Sequence, residues 1–315
     1  MNPTRQPSAP AAQPEQSPSR GRSLWGDAWL RIRRDKGALV CLVVIACYVL
    51  IAVISPFVFA DWNTTYDYNN RNLPPSWAHP FGTDALGRSV LHKTFLGAHV
   101  SMNVAFMANI IAIPLGLVLG AVAGYRGRRT DDLIVWFYTT LASIPGIILL
   151  IAIKFAFEGK ILFEHTWFAL DLNGMAGVYL ALGSIGWIGT CRLVRAEVMK
   201  IKELDYVVAA KACGRSDAAV LLRHIFPNVF HIGIINFSLG FVGAISAEVI
   251  LSFLNLGVHD LPSWGKMINE ARMDLVVGRW WELTAAVGAT FIIVLAWNII
   301  GDRLRDALDP RLKNV

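Results

Sequence analysis

Charge is scarce in this chain. Asp, Glu, Lys and Arg make up 17% of its 315 residues, against roughly 25% in typical soluble domains, which argues against a water-soluble enzyme. Cysteine is scarce too: Cys41, Cys47, Cys191 and Cys213 form no Cys-x-x-Cys pair and no zinc-ligand spacing, so they read as packing residues. Also missing are a Gly-x-x-x-x-Gly-Lys-Ser/Thr phosphate loop, a nucleophile elbow and a His-Glu-x-x-His pair. No catalytic residue, bound cofactor or metal ligand is therefore assigned, and any nucleotide chemistry belongs to another chain.

What is abundant is apolar length. Hydrophobic residues are 55% of the chain, with mean hydropathy +0.47. A membrane-crossing helix needs ~20 mostly apolar residues, and six runs, uncharged but for Glu248, supply them: 38–59, 97–125, 133–153, 174–190, 229–254 and 283–301. The expected fold is all-α, a polytopic membrane protein of about six spans. Lys and Arg are retained on the cytoplasmic side of such proteins. Placing the N-terminus inside puts 21 of the 29 Lys and Arg residues on that side, so both termini are expected in the cytoplasm. The net charge of +6 follows from this bias and calls for no nucleic acid.

Residues 1–22 are rich in Pro, Ser, Gln and Ala and nearly free of bulky apolar side chains, a composition that cannot offset the entropy of ordering. The expected organisation is a flexible basic cytoplasmic tail over 1–36, a transmembrane domain over 37–301 with a cytoplasmic loop at 203–228, and a cytoplasmic tail over 302–315. A cleaved signal peptide is disfavoured. The first run exceeds a signal core of ~7–15 residues, and Val58-Phe59-Ala60 is a poor small-x-small site.

Inside the spans, Gly116, Gly120 and Gly124 recur four apart on one helix face, a pattern for close helix packing. Pro114 and the pair Pro145-Gly146 interrupt the hydrogen-bond ladder. Within a membrane such breaks are tolerated against other protein or beside a water-filled cavity, so Pro145 marks either a kinked, pathway-lining helix or an ordinary membrane proline. Glu248 is the carboxylate deep within a predicted span, which makes it a functional candidate. The alternative is a structural Glu bonded to Ser252 one turn on.

Between two apolar runs lies a basic segment, Asp205-Tyr206-Val207-Val208-Ala209-Ala210-Lys211-Ala212-Cys213-Gly214-Arg215-Ser216-Asp217, continuing to His224-Ile225-Phe226-Pro227-Asn228. Ala209, Ala210 and Ala212 permit close approach to another surface. Gly214 tolerates positive φ and ends a helix, Ser216 caps the next, and Pro227 suits the first turn of the following span. Helix, turn, helix is the expected local structure; a basic loop touching only lipid head groups is the competing reading.

This segment resembles the EAA loop by which the membrane subunit of a bacterial ABC importer docks on its ATPase. Further stretches extend the resemblance. His79-Pro80-Phe81-Gly82-Thr83-Asp84-Ala85-Leu86-Gly87-Arg88-Ser89 is similar to the Gly-Thr-Asp-x-x-Gly-Arg-Asp signature of the C-type permease of oligopeptide, dipeptide and nickel importers. Leu251-Ser252-Phe253-Leu254-Asn255-Leu256-Gly257, Pro262-Ser263-Trp264-Gly265-Lys266-Met267, Ala271-Arg272 and the run 301–310 fit the same pattern. Three positions depart: Val208 replaces the Glu of Glu-Ala-Ala, Ser89 replaces Asp, and Asn255 stands where Gly is usual.

The resemblance implies a type I importer permease in the bacterial inner membrane. Its partners would be a second, homologous permease, two cytoplasmic ATPase subunits carrying ATP and Mg, a periplasmic or lipid-anchored solute-binding protein, and membrane lipid. Val208, Ala209, Ala210, Gly214, Ser216, Asp217, His224 and Pro227 are then candidates for ATPase coupling, and Glu248, Pro145 and Ser252 for the pathway or gate. Asp84, Arg88, Trp264, Lys266 and Arg272 are candidates for binding-protein contact. Trp264, Met267 and Ala271 recur at helical spacing, which reads as an apolar helix face lying on the membrane surface, with Trp280 and Trp281 as an interfacial belt. Peptides are the leading solute; nickel, glycosides and opine-type solutes remain open. An ion-coupled secondary transporter is disfavoured, since the spans lack a second charge and a repeated half.

The Lys and Arg distribution yields a topology prediction. Reporters fused after Arg129, Glu203 or Lys313 read as cytoplasmic, and those after Thr64, His165 or Asp260 as external. A cytoplasmic reading at Asp260 would overturn the placement of the last two spans.

Overall fold

A computed structural model of the chain describes residues 24–63, 65–162, 169–258 and 261–308. The fusion sites Thr64, His165, Asp260 and Lys313 lie outside them. The described residues are helical almost throughout: α1 (Leu24–Arg34), α2 (Lys36–Val58), α3 (Val90–Arg126), α4 (Arg128–Ala142), α5 (Gly146–Phe157), α6 (Met175–Ile201), α7 (Asp205–Ala212), α8 (Asp217–Val220), α9 (Phe226–Phe253), α10 (Trp264–Val276) and α11 (Trp281–Leu308). A two-stranded antiparallel hairpin, β1 (Ile161–Leu162) and β2 (Leu170–Asp171), joins α5 to α6. Five helices are long and apolar enough to cross a membrane, or six crossings if the bent pair α4–α5 counts as one.

The glycine ladder decides the central packing. A Cβ on Gly116, Gly120 or Gly124 would lie 2.7, 2.6 and 2.7 Å from the carbonyl oxygens of Trp187, Cys191 and Arg195. The two helices therefore meet backbone to backbone, and the glycines are required for it. Both number series ascend together, so α3 and α6 are parallel. The chain between them must recross the same thickness, which makes α4 and α5 one return crossing.

Three further pairs are antiparallel. Along α3 and α9, Ser101 meets Glu248, Asn109 meets Gly240 and Leu117 meets Gly233. Trp297 of α11 stacks on Phe241 of α9 while Gly301 faces Ser238. Tyr48 of α2 donates to the Ala289 carbonyl at 3.0 Å, and Arg303 pairs with Asp35 at 2.9 Å. Asp35, Arg303 and the 203–228 segment consequently share one end of the bundle; the 61–89 loop and α10 share the other.

Several boundaries differ from expectation, for one reason: charge ended the apolar runs in sequence, but paired charge does not end a helix. Thus α3 begins at Val90, before the buried Lys93, and at 37 residues it is about 55 Å long at ~1.5 Å per residue. Helix α6 continues past Arg195, whose guanidinium chelates Asp131 of α4 at 2.5 and 2.6 Å. Helix α11 runs to Leu308, through the start of the stretch expected as a tail over 302–315. Residues 24–34 form α1 and so correct the flexible assignment of 1–36 in that part. Asp35 then caps α2, its Oδ1 accepting from Gly37 and Ala38 at 2.8 and 3.3 Å.

The third span is broken rather than gently kinked. Helices α4 and α5 meet at 92°, since Pro145 has no N–H to give and disfavours helical geometry at Ile144. Pro227 falls in the first turn of α9, as expected, although α8 and the turn before it run on into α9 as one span from Asp217 to Phe253. A widened turn over Leu221–Ile225 precedes it, with the Phe226 N–H reaching back to the Leu221 carbonyl. Such a π-turn accommodates the donor that proline removes.

Gly120→Val should displace α3 from α6, at a cost of about 1–3 kcal/mol from overpacking. Gly288→Ala, where an added Cβ meets nothing within 4 Å, should leave stability intact. Thermal unfolding of the detergent-purified protein checks this; an unchanged melting temperature in Gly120→Val would refute the backbone-contact account.

Candidate functional site

At the end shared by both described termini, α7 and α8 form the expected helix-turn-helix. Gly214 adopts φ +79°, and the Arg215 N–H returns to the Ala210 carbonyl at 3.3 Å, a left-handed helix stop for which glycine is favoured. Ser216 caps α8 by accepting from the Ala219 N–H at 3.4 Å. Val207 and Val220 are fully buried with Val194, Val198 and Ile225, so one side of the hairpin is anchored. The other is presented outward: Val208 is 52% exposed, Ala209, Gly214 and Ser216 are exposed, and Ala210 is half-buried.

The candidate Asp217 and nearby Lys211, though exposed, also reach back to the bundle. Asp217 accepts from the Tyr125 hydroxyl at 2.7 Å, and Lys211 lies 4.5 Å over the same ring. The hairpin is thereby fastened to the end of α3. His224 is half-buried and its carbonyl accepts from Asn228 at 2.6 Å, while Pro227 is exposed.

Midway along the bundle, the α4–α5 bend borders an open cavity of about 440 Å³ between α3, α5, α6 and α9. Its lining includes Gly146, Leu150, Asn109, Thr190, Asn236 and Ser246, with no charged side chain. Pro145 is the exposed N-cap of α5 at its edge. Glu248 and Ser252 lie apart from this lining. The Glu248 carboxylate is fully buried and accepts from Ser101 at 2.8 Å and Ser252 at 2.7 Å; Ser263 in turn donates to Ser252 at 3.1 Å. This relay ties α3 and α9 to the N-cap of α10.

The opposite end carries a cap built on the 79–89 run. Asp84 Oδ1 accepts from the Leu86 and Arg88 N–H groups at 2.9 and 2.8 Å, and Gly87 at φ +78° lies so close to the Asp67 carbonyl that a Cβ would sit 1.7 Å from its oxygen. Arg88 pairs with Asp84 at 2.8 Å and stacks 3.8 Å over Trp62. Lys93, 3% exposed, gathers the rest: Glu270 and Glu282 at 2.6 Å each and Asp84 at 3.6 Å. Lys93, Glu270 and Glu282 escaped the sequence reading because their partners come from α10 and α11. A lysine at a span entrance shortly after the Gly82-Thr83-Asp84 turn was the available signal.

The helix face of Trp264, Met267 and Ala271 exists, but all three are fully buried in the core. That corrects its placement on the membrane surface: Trp264 Nε1 donates to the Thr94 carbonyl at 3.1 Å, a partner sequence spacing could not reveal. Trp280 is exposed, whereas Trp281 donates to the Thr83 carbonyl at 3.1 Å. Among the contact candidates, Asp84 and Trp264 are interior; Arg88 and Lys266 are half-buried and Arg272 is exposed, 5.4 Å over the Phe253 ring. One sequence departure is explained: Asn255 adopts φ +61°, which Asn tolerates better than other non-glycine residues. Ser89 stands at the N-cap of α3 but makes no side-chain capping hydrogen bond there.

Residues 116–314 match the family described as binding-protein-dependent transport system inner membrane component. The chain belongs to this family. Residues 23–75 match the N-terminal TM domain of oligopeptide transport permease C. The dipeptide transport system permease protein DppC of Bacillus subtilis is 34% identical over 288 residues, 91% of this chain and 86% of that one. OppC of the same organism is 32% identical over 97% of this chain and 95% of its own length. The glutathione transport system permease protein GsiD of Escherichia coli is 33% identical over 96% of this chain and 95% of its own. The chain is thus a multi-pass permease subunit of an ABC importer.

Removing the lysine from the cap leaves three carboxylates facing one another. Lys93→Met should cost about 3–5 kcal/mol, as for a buried ion pair stripped of one partner, and Lys93→Met with Glu282→Gln should recover part of it. Thermal unfolding of the purified variants is the check. Equal stability of wild type and Lys93→Met would show that the cluster is not a structural clamp.

Proposed function

We propose that this permease forms half of the pathway for peptides or peptide-like solutes, and that its 203–228 hairpin docks in the cytoplasm on an ATPase subunit. One observation carries the reading: a helix-turn-helix with an anchored inner side and an exposed small-residue outer side, sealed by Gly214 at φ +79° and tied to the longest helix through Tyr125 and Asp217. A push on the hairpin thereby reaches α3, which also borders the cavity. ATP binding would close the ATPase pair, and the hairpin would carry that motion into the spans, alternating access between the two sides.

The peptide assignment draws on the relatives' names, which cover dipeptides, oligopeptides and glutathione. Its setting is an uncharged cavity with the amides of Asn109 and Asn236. Among the described residues no group of three His, Cys, Asp or Glu side chains is arranged to hold a metal ion, which favours peptides over nickel. The second permease, the ATPase pair and an external binding protein belong to the same proposal. Lys266 and Arg272 are the surface side chains offered to the binding protein, and Asp84, Arg88 and Trp264 support that surface.

Gly214→Asp forces a side chain into left-handed backbone, and Ala209→Trp adds bulk on the exposed docking side. Each should lower ATP-driven uptake of a labelled dipeptide at least tenfold while the permease stays in the membrane. Normal uptake with the variants fully assembled would refute the docking role.

A further inference from the structure

A second groove opens between α3, α9 and α11 and shares Asn109 and Ile113 with the first cavity. Leu117 of α3, Ile234 and Ser238 of α9, and Trp297 and Leu304 of α11 help to bound its volume of about 450 Å³. Its walls are apolar nearly throughout. Trp297 Nε1 is buried and finds no acceptor among the described residues, although a buried indole N–H ordinarily has one.

Charge around the mouth is arranged asymmetrically. On a helix each residue turns ~100°, so Arg303 and Arg305 flank the face of Leu304, which lines the groove, while Asp302 and Asp306 fall on the far side. Arg305 is exposed, and Arg303 keeps 53% of its side chain exposed despite pairing with Asp35. From Trp297 to Arg303 the rise is about 9 Å at ~1.5 Å per residue, so the unpartnered donor sits just inside the level of the basic pair.

We propose that this groove holds an acyl chain of an anionic phospholipid of the leaflet at the Arg303 end, its ester carbonyl accepting from Trp297 Nε1 and its phosphate meeting Arg305 beside Arg303. The lipid completes the wall where α3, α9 and α11 do not close on one another. The assignment is independent of the transported solute and rests only on these helices crossing a membrane.

The test is native mass spectrometry of the assembled transporter, delipidated and titrated with dioleoylphosphatidylglycerol or dioleoylphosphatidylcholine. Wild type should retain phosphatidylglycerol preferentially. Trp297→Phe should weaken retention about 3- to 10-fold, the loss of one hydrogen bond, Ile234→Trp should fill the groove and abolish it, and Arg305→Gln should remove the preference for phosphatidylglycerol. Retention unchanged by both Trp297→Phe and Ile234→Trp overturns the proposal. So does near-stoichiometric cross-linking of Ile234→Cys to the second permease, which would mean that protein covers the groove. If Ile234→Trp fails to assemble, the conservative Trp297→Phe decides.

Discussion

The backbone contact between α3 and α6 is the constraint on which the rest depends. Three glycines set against three carbonyls bring the two helices closer than side chains would allow, and in a bilayer, where lipid is as apolar as leucine, such close packing is a main source of helix association. Because the pair is parallel, the chain must return between them. The sharply bent α4–α5 is that return, and the bend in turn leaves the cavity beside Gly146.

Helix α3 also joins the two working ends. Lys93, near its first turn, holds the cap built on the 79–89 run through α10 and α11; Tyr125, at its last, holds the hairpin through Asp217. A displacement at either end is met by one continuous helix rather than by a flexible linker. Glu248 belongs to the same frame, since its carboxylate bonds Ser101 of α3 and, through Ser252 and Ser263, the start of α10. Buried polar groups are paired because leaving them unpaired in an apolar interior costs several kcal/mol.

One departure from the family pattern obeys local physics: Asn255 substitutes for glycine at a left-handed position. Val208 differs, being an exposed apolar residue on the outer side of the hairpin where the family pattern carries Glu, so under the proposed docking its contact would be by packing rather than by charge.

The chain's sequence by itself determined that it crosses a membrane about six times, that Gly116, Gly120 and Gly124 pack against a neighbour, and that 205–228 turns at Gly214. Each of these is written in local composition or spacing: apolar length, a four-residue period, a residue suited to positive φ. Only the tertiary structure decided which side chains are interior. Trp264, Met267 and Ala271 form one face at helical spacing, but whether that face meets lipid or core depends on α3 and α9 lying above it. The Lys93 cluster draws on positions 84, 93, 270 and 282, and the unpartnered Trp297 lies between helices almost two hundred residues apart in sequence. Apolar periodicity shows that a face is buried and is silent on what buries it, because in a membrane protein lipid and core select the same residues.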